Sequence, residues 1–154
     1  MDVAAAVQQL TRIMGAEGER ATKAQRAAEA IRLAGAYRWV GVYDVTDEDE
    51  QVRNLAWSGP AAPAHPVFPV TQGLTGTAIA TRTTVVVDDV AADPRYLEAL
   101  GDTRSELIVP VRDRRAGRAV GTLDVESERR AAFGPADTQA LERLAMALLP
   151  LWEA

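Results

Sequence analysis

"SELIVPVRDRRAGRAVGTLDVESE", residues 105–128, decides the fold. Two runs of apolar and β-branched residues flank a polar centre, the pattern of two antiparallel strands joined by a turn. Side chains alternate along a strand. Leu107, Val109 and Val111 therefore point one way, and Glu106, Ile108 and Pro110 the other. On the second run Gly121, Leu123 and Val125 oppose Val120, Thr122, Asp124 and Glu126. With the turn near Arg115 and Ala116, Glu106 pairs with either Asp124 or Glu126, and both registers put the three acids on one face. The other face is core.

Asp124 and Glu126 are only ~7 Å apart along the strand, and like charges across a strand pair are destabilising. Two readings stay open. An antiparallel sheet commonly has one solvated face, where an acidic cluster costs little. Ile108 and Val120 share the acidic parity, however, which predicts a partly covered face. Covered carboxylates require a cation: a loop Arg or Lys, a metal such as Mg²⁺ or Ca²⁺, or a ligand ammonium.

Outward from the hairpin, residues 2–14 and 19–34 carry helical periodicity, with Gly35 as a stop, as two helices or one kinked helix. "YRWVGVYDV" and "VRNLAWSG" form a second hairpin about the acidic turn "DEDE". "PAAPAHPVFP", with four prolines, marks a loop or sheet edge. "GLTGTAIATR" gives a short helix, "TTVVVDDV" a buried-type strand, and "ADPRYLEALGD" a loop with about two helical turns. The final helix opens at Pro135, with Asp137 at its positive end and Leu141, Leu144, Ala145, Leu148 and Leu149 on one face. Strands joined by tight turns with helices at both ends define an α+β domain with the terminal helices packed together on one side of the sheet.

In the first hairpin, Trp39 and Tyr43 share a face through W-x-G-x-Y, with Gly41 leaving room between them. They are either core or the aromatic walls of an amine site floored by carboxylates.

The 154 residues suit one domain, residues 1–154, with a helical segment at 1–35 and the body at 37–150. A 47% hydrophobic and 25% charged composition is that of a globular protein. The net charge of −5 and the pI near 4.9 argue against nucleic acid as a partner. The absence of cysteine excludes disulfides, thiolate metal sites and thiol catalysis in these residues. The start carries an acid where a signal peptide would be positive, and "LAMALLPLW" falls far short of the ~20 apolar residues of a membrane span. The expected location is the cytoplasm, with no membrane partner. His65, the one histidine, lies among prolines that offer it no metal or haem partners. "WSGP" lacks the glycine of a nucleophile elbow, and "GLTGTA" lacks the Lys-Ser/Thr of a P-loop.

The motifs "WVGVY", "GLTGTAIA", "VVVDDV", "SELIVPV", "GTLDVES" and "FGPADTQALERLA" follow one another in the order of a GAF domain. Over residues 37–150 the chain resembles the free-methionine-(R)-sulfoxide reductase subgroup of that family. The resemblance implies a six-stranded antiparallel sheet with the N- and C-terminal helices on one face and a loop-covered pocket on the other. It also implies that Trp39, Tyr43, Glu106, Asp124 and Glu126 surround the ligand, the acids holding its amino group. The reductase cysteines fall near His65, Thr75 and Ala99, none of which is a thiol. Attack on a sulfoxide and closure of a disulfide both require thiols.

The expectation is a stand-alone, sensor-type GAF domain, a pseudoenzyme that binds an amine-bearing metabolite such as a free amino acid. No catalytic residue, metal or cofactor is assigned. Two alternatives are a reductase-like enzyme with inactive or altered chemistry and a structural dimerisation domain. The expected partners are the small molecule, a second copy through the terminal helices, and a separate signalling protein, since no output domain follows residue 154.

Overall fold

The computed structural model describes residues 1–98 and 100–153, so the expectation placed on Ala99 lies outside the described residues. From the N-terminus, helices α1 (Val3–Gly15) and α2 (Arg20–Gly35) lead into strands β1 (Trp39–Thr46), β2 (Gln51–Ser58) and β3 (Val67–Pro69). Helix α3 (Gly73–Thr81) and β4 (Val85–Val87) precede the hairpin β5 (Ser105–Arg112) and β6 (Ala119–Ser127). Helix α4 (Pro135–Ala147) and a 3₁₀ turn, Leu149–Trp152, close the chain. The strands form one antiparallel sheet in the order β3-β2-β1-β6-β5-β4.

The alternation in β1, β5 and β6 divides the core in two. Val40, Val42, Leu107, Val109, Val111, Leu123 and Val125 pack beneath α1, α2 and α4, against Leu10, Ile31, Leu141, Leu144 and Leu148. The opposite parity faces α3 and the loops, where Trp39, Tyr43, Val52, Phe68 and Leu100 form one cluster and Leu74, Ala78, Val87, Val90 and Ile108 another. The terminal helices thus occupy one face, as the sequence predicts.

The helix ends follow their chemistry. The Asp2 carboxylate accepts the Ala5 N–H at 3.0 Å and caps α1. Asp137 accepts the Gly134 N–H at 2.9 Å at the start of α4, with Pro135 in the first turn. Helices α1 and α2 are separate, divided at Ala16 by extended backbone. Gly35 is still helical and Ala36 takes the left-handed cap at φ 52°. The glycine is required by the Tyr37 ring, which would lie 2.1 Å from a Cβ at position 35.

Three expectations are corrected. The strand in residues 83–90 is three residues long and lies at the sheet edge, with Val86 39% exposed, so it is not of the buried type. Residues 92–102 hold no α-helical turns among those described; a 3₁₀ turn, Val90–Ala92, ends at the first of them and is capped by the Asp89 carboxylate. Val120 leaves the acidic face. Val111 pairs with Gly121 and Arg112 with Ala119, so Val120 is the extra residue of a bulge and packs with the helix-side core.

Candidate functional site

On the face away from the terminal helices, registers across β1, β6 and β5 set side chains in rows. Trp39 pairs with Glu126, which pairs with Glu106. Gly41 pairs with Asp124, which pairs with Ile108, and Tyr43 pairs with Thr122, which pairs with Pro110. The three acids therefore meet at the middle of the sheet. Glu106 is opposite Glu126, the second of the two predicted registers. Pro110 is tolerated in β5 because β4 pairs only as far as Ile108, leaving no ladder partner for an N–H there.

The acids are buried: Glu106 is 5% exposed, Asp124 4% and Glu126 0%. No Lys, Arg or His among the described residues forms an ion pair with any of them; the arginine pairs lie elsewhere on the surface. Asp124 accepts hydrogen bonds from the Thr122 hydroxyl at 2.7 Å and the Thr75 hydroxyl at 3.1 Å. Neither carboxyl oxygen of Glu126 has a hydrogen-bond partner of good geometry. The Thr103 and Tyr96 hydroxyls are near enough to draw its pKa down without meeting that geometry.

Burial dominates the electrostatics. It lifts Asp124 to about 7 against the lowering effect of Thr122 and Thr75. Glu126 rises to about 8, chiefly by burial. Burial, then the charges of Glu126 and Asp124, push Glu106 well above the usual carboxyl range. The Tyr43 hydroxyl is raised for the same reasons, burial first and then the three acids. A charged carboxyl in low dielectric without a counter-ion is strongly disfavoured. The site therefore holds protons near neutral pH.

Tyr43, Glu106, Asp124, Thr75, Phe68 and Leu97 line a cavity here, with His65 and Glu98 at its exposed rim. Its free space is about 20 Å³ for the centre of a water molecule, room for roughly one water. Two of the predicted site residues, Trp39 and Glu126, are not on its walls. The Trp39 indole lies over Gly41, where a Cβ would come within 2.4 Å of the ring, so Trp39 itself fills the room that glycine leaves. Its Nε1–H donates to the Ala61 carbonyl at 3.0 Å and ties down the Pro-rich loop.

Sequence reasoning missed several neighbours. Thr122 was placed on the acids' face by its parity, and what was missed is that its hydroxyl donates to Asp124. Phe68 packs edge-on to Tyr43 with ring centres 5.9 Å apart, through the edge strand β3. Thr75 stands out in the sequence only as a position without a thiol, yet its hydroxyl contributes to the site through Asp124. His65 is an exposed loop residue, as expected, but one placed at the cavity rim. Among the described residues, no group of three His, Cys, Asp or Glu side chains is arranged to hold a metal ion.

A mixed sheet-and-helix domain with this strand order, a helical face and a loop-covered face defines a class: the chain belongs to the GAF domain family, whose model matches residues 21–148. Within it, the chain is similar to free methionine-R-sulfoxide reductases. It superposes on that enzyme from Neisseria meningitidis, solved in complex with its substrate, with a TM-score of 0.87 and 30% identity, covering 98% of this chain and 88% of that one. The type II free methionine-R-sulfoxide reductase of Thermoplasma acidophilum gives a TM-score of 0.78 and 27% identity over 92% of this chain and 94% of that one. The free methionine-R-sulfoxide reductase of Saccharomyces cerevisiae is 34% identical over 74 residues, 48% of this chain. That match spans 41% of the yeast protein.

Proposed function

We propose that this domain is a cytoplasmic small-molecule sensor that binds a primary amine of metabolite size, a free amino acid or a close relative, without sulfoxide-reductase chemistry. The observation that carries the reading is the set of three buried carboxyls that no cation among the described residues pairs with. An ammonium supplies the missing charge through charge-assisted hydrogen bonds, with Tyr43 as an aromatic wall. Similarity to a reductase solved with its own small substrate supports a ligand of that size. The lack of any cysteine in the 154 residues supports binding without thiol attack. Seating a guest larger than water requires side chains of the wall, Phe68 and Leu97 among them, to give way. The domain passes its signal to a separate protein and pairs with a second copy through the terminal helices, where Leu33 is 64% exposed.

The test is a thermal-shift and calorimetric screen with the free amino acids, methionine sulfoxide and simple primary amines, on wild type and Glu106→Gln. A ligand at 100 times its Kd adds about 2.7 kcal/mol of stability, and that gain is expected to vanish in the variant. Stabilisation by carboxylates or neutral molecules alone sinks the reading. Turnover of free methionine sulfoxide with a reductant would instead make the protein an enzyme. Light scattering that finds only monomer removes the pairing.

A further inference from the structure

The carboxyl cluster faces a cavity with no mobile counter-charge built into it, and this constrains how a guest enters. Among the described residues, every charged or titratable group near it is acidic, phenolic or at the rim. From β5 comes Glu106, from β6 Asp124 and Glu126, and from β1 Tyr43. The loop before β5 brings Tyr96 and Asp102 near Glu126, off the cavity wall, and the exposed Asp102 carboxylate is itself paired with Arg38 at 2.6 Å. Helix α3 contributes only the Thr75 hydroxyl. Glu98 and His65 stand at the exposed rim. Glu126 is fully buried with neither oxygen satisfied, and Glu106 is directly opposite.

We propose that the site takes up its amine by ion exchange: an ammonium seats against Glu106 and Asp124, with Glu126 behind them, and a carboxyl proton of the cluster is released to solvent. The balance is simple. A protonated carboxyl and an alkylammonium become a carboxylate–ammonium pair and one free proton, and no bond to carbon forms or breaks. The empty cluster avoids placing three like charges together in low dielectric by retaining protons, and the guest's charge removes the need for them. The elevated pKa of Asp124, about 7, and of Glu126, about 8, place this exchange near neutrality. Tightening of binding with rising pH follows by linkage. A neutral isostere of the amine gains nothing from the cluster. The inference rests on the proposed amine-binding function and adds its proton coupling.

Calorimetry with free L-methionine as the probe, in phosphate and in Bis-Tris, a tertiary amine, at pH 6 and pH 7, tests it. Affinity is expected to rise about tenfold over that unit while one proton is displaced, below the range where an α-amino group loses its own proton. The apparent heat is expected to differ between the buffers by one proton's ionisation. Equal affinity at both pH values with equal heat in both buffers overturns the exchange and leaves amine binding standing; no binding at either pH overturns both. Infrared spectroscopy of the ligand-free protein at pH 7 gives a readout that needs no guest. The carbonyl stretch of protonated carboxylic acid is expected in wild type and reduced in Glu126→Gln, and its absence from wild type overturns the exchange by itself.

Discussion

Glu106 and Glu126 stand directly opposite one another across the β5–β6 ladder, both buried and neither ion-paired among the described residues. Directly opposed residues bring their Cβ atoms to within about 4.5–5.5 Å. Two full negative charges at that spacing, with Asp124 beside them, cannot be sustained in a dry site. The fold therefore carries a local cost at the centre of its sheet, and the cost depends on pH.

Stability is expected to fall as pH rises through neutrality. The folded carboxyls titrate near 7 for Asp124 and near 8 for Glu126, whereas in an unfolded chain they titrate near 4. The native state thus holds more protons between those limits. The favourable contribution is complete below about pH 4 and lost above about pH 8. Urea unfolding at pH 5.5 and pH 8.5 should give a lower midpoint at the higher pH, by on the order of a few kcal/mol in stability.

Glu126→Gln removes the acid whose oxygens accept no hydrogen bond of good geometry. At pH 8.5 it is expected to stabilise the domain by about 1 kcal/mol or more, since an uncompensated buried charge disappears. The pH dependence of the urea midpoint should flatten in the variant. Equal or greater slope would mean that Glu126 is not one of the groups titrating in the window.

Thr75→Val withdraws the hydroxyl that donates to Asp124 at 3.1 Å. Loss of a donor to the charged form raises a carboxyl's pKa. Carbon-detected NMR titration of the Asp124 carboxyl should find its midpoint above the wild-type value, with the fold retained because Val keeps the branched shape of Thr.

Gly41→Ala places a methyl where the Trp39 ring already lies, 2.4 Å away. Overpacking of this kind costs about 1–3 kcal/mol. The near-ultraviolet circular dichroism of the indole and the urea midpoint should change together. If only the stability moves, Trp39 has kept its seat over the strand.

At the far end of β1, Arg20 donates to the Asp44 carboxylate through both terminal nitrogens, and its Nε–H donates to the Leu151 carbonyl at 2.7 Å. The Trp152 Nε1–H reaches the same carboxylate at 2.6 Å. Burial raises the Asp44 pKa, but the hydrogen bonds from Arg20 and Trp152 outweigh it and hold the group below its usual range. This clasp contributes above the unfolded Asp pKa and is lost as pH falls through the folded one. Both side chains are partly exposed, at 40% and 21%, so a double-mutant cycle of Arg20→Ala and Asp44→Ala should return about 1 kcal/mol, decaying on acidification.

The middle of the sheet was legible in the sequence because strand parity is strict there. Leu107, Val109, Leu123 and Val125 fell on the helix side and Glu106, Asp124 and Glu126 on the other, as the alternation requires. Parity failed at Val120, where one extra residue in β6 reverses which way the chain faces, and a bulge has no marker in this stretch. The loop of residues 92–102 misled for a different reason: its Leu and Tyr recur at helical spacing but serve the cavity wall and the clusters over the sheet. Trp39 was placed on the correct face, but that its ring would lie on Gly41 depends on side-chain packing, which spacing alone does not encode. The size of the cavity depends on how Phe68 and Leu97 line it, and they come from an edge strand and a loop whose packing over the acids strand parity does not encode.

The two margins of the sheet, β3 and β4, are each three residues long, and Pro69 ends the first without an N–H to offer. Such blunt borders give another chain little to zip onto, so fibrillar growth by strand addition is discouraged.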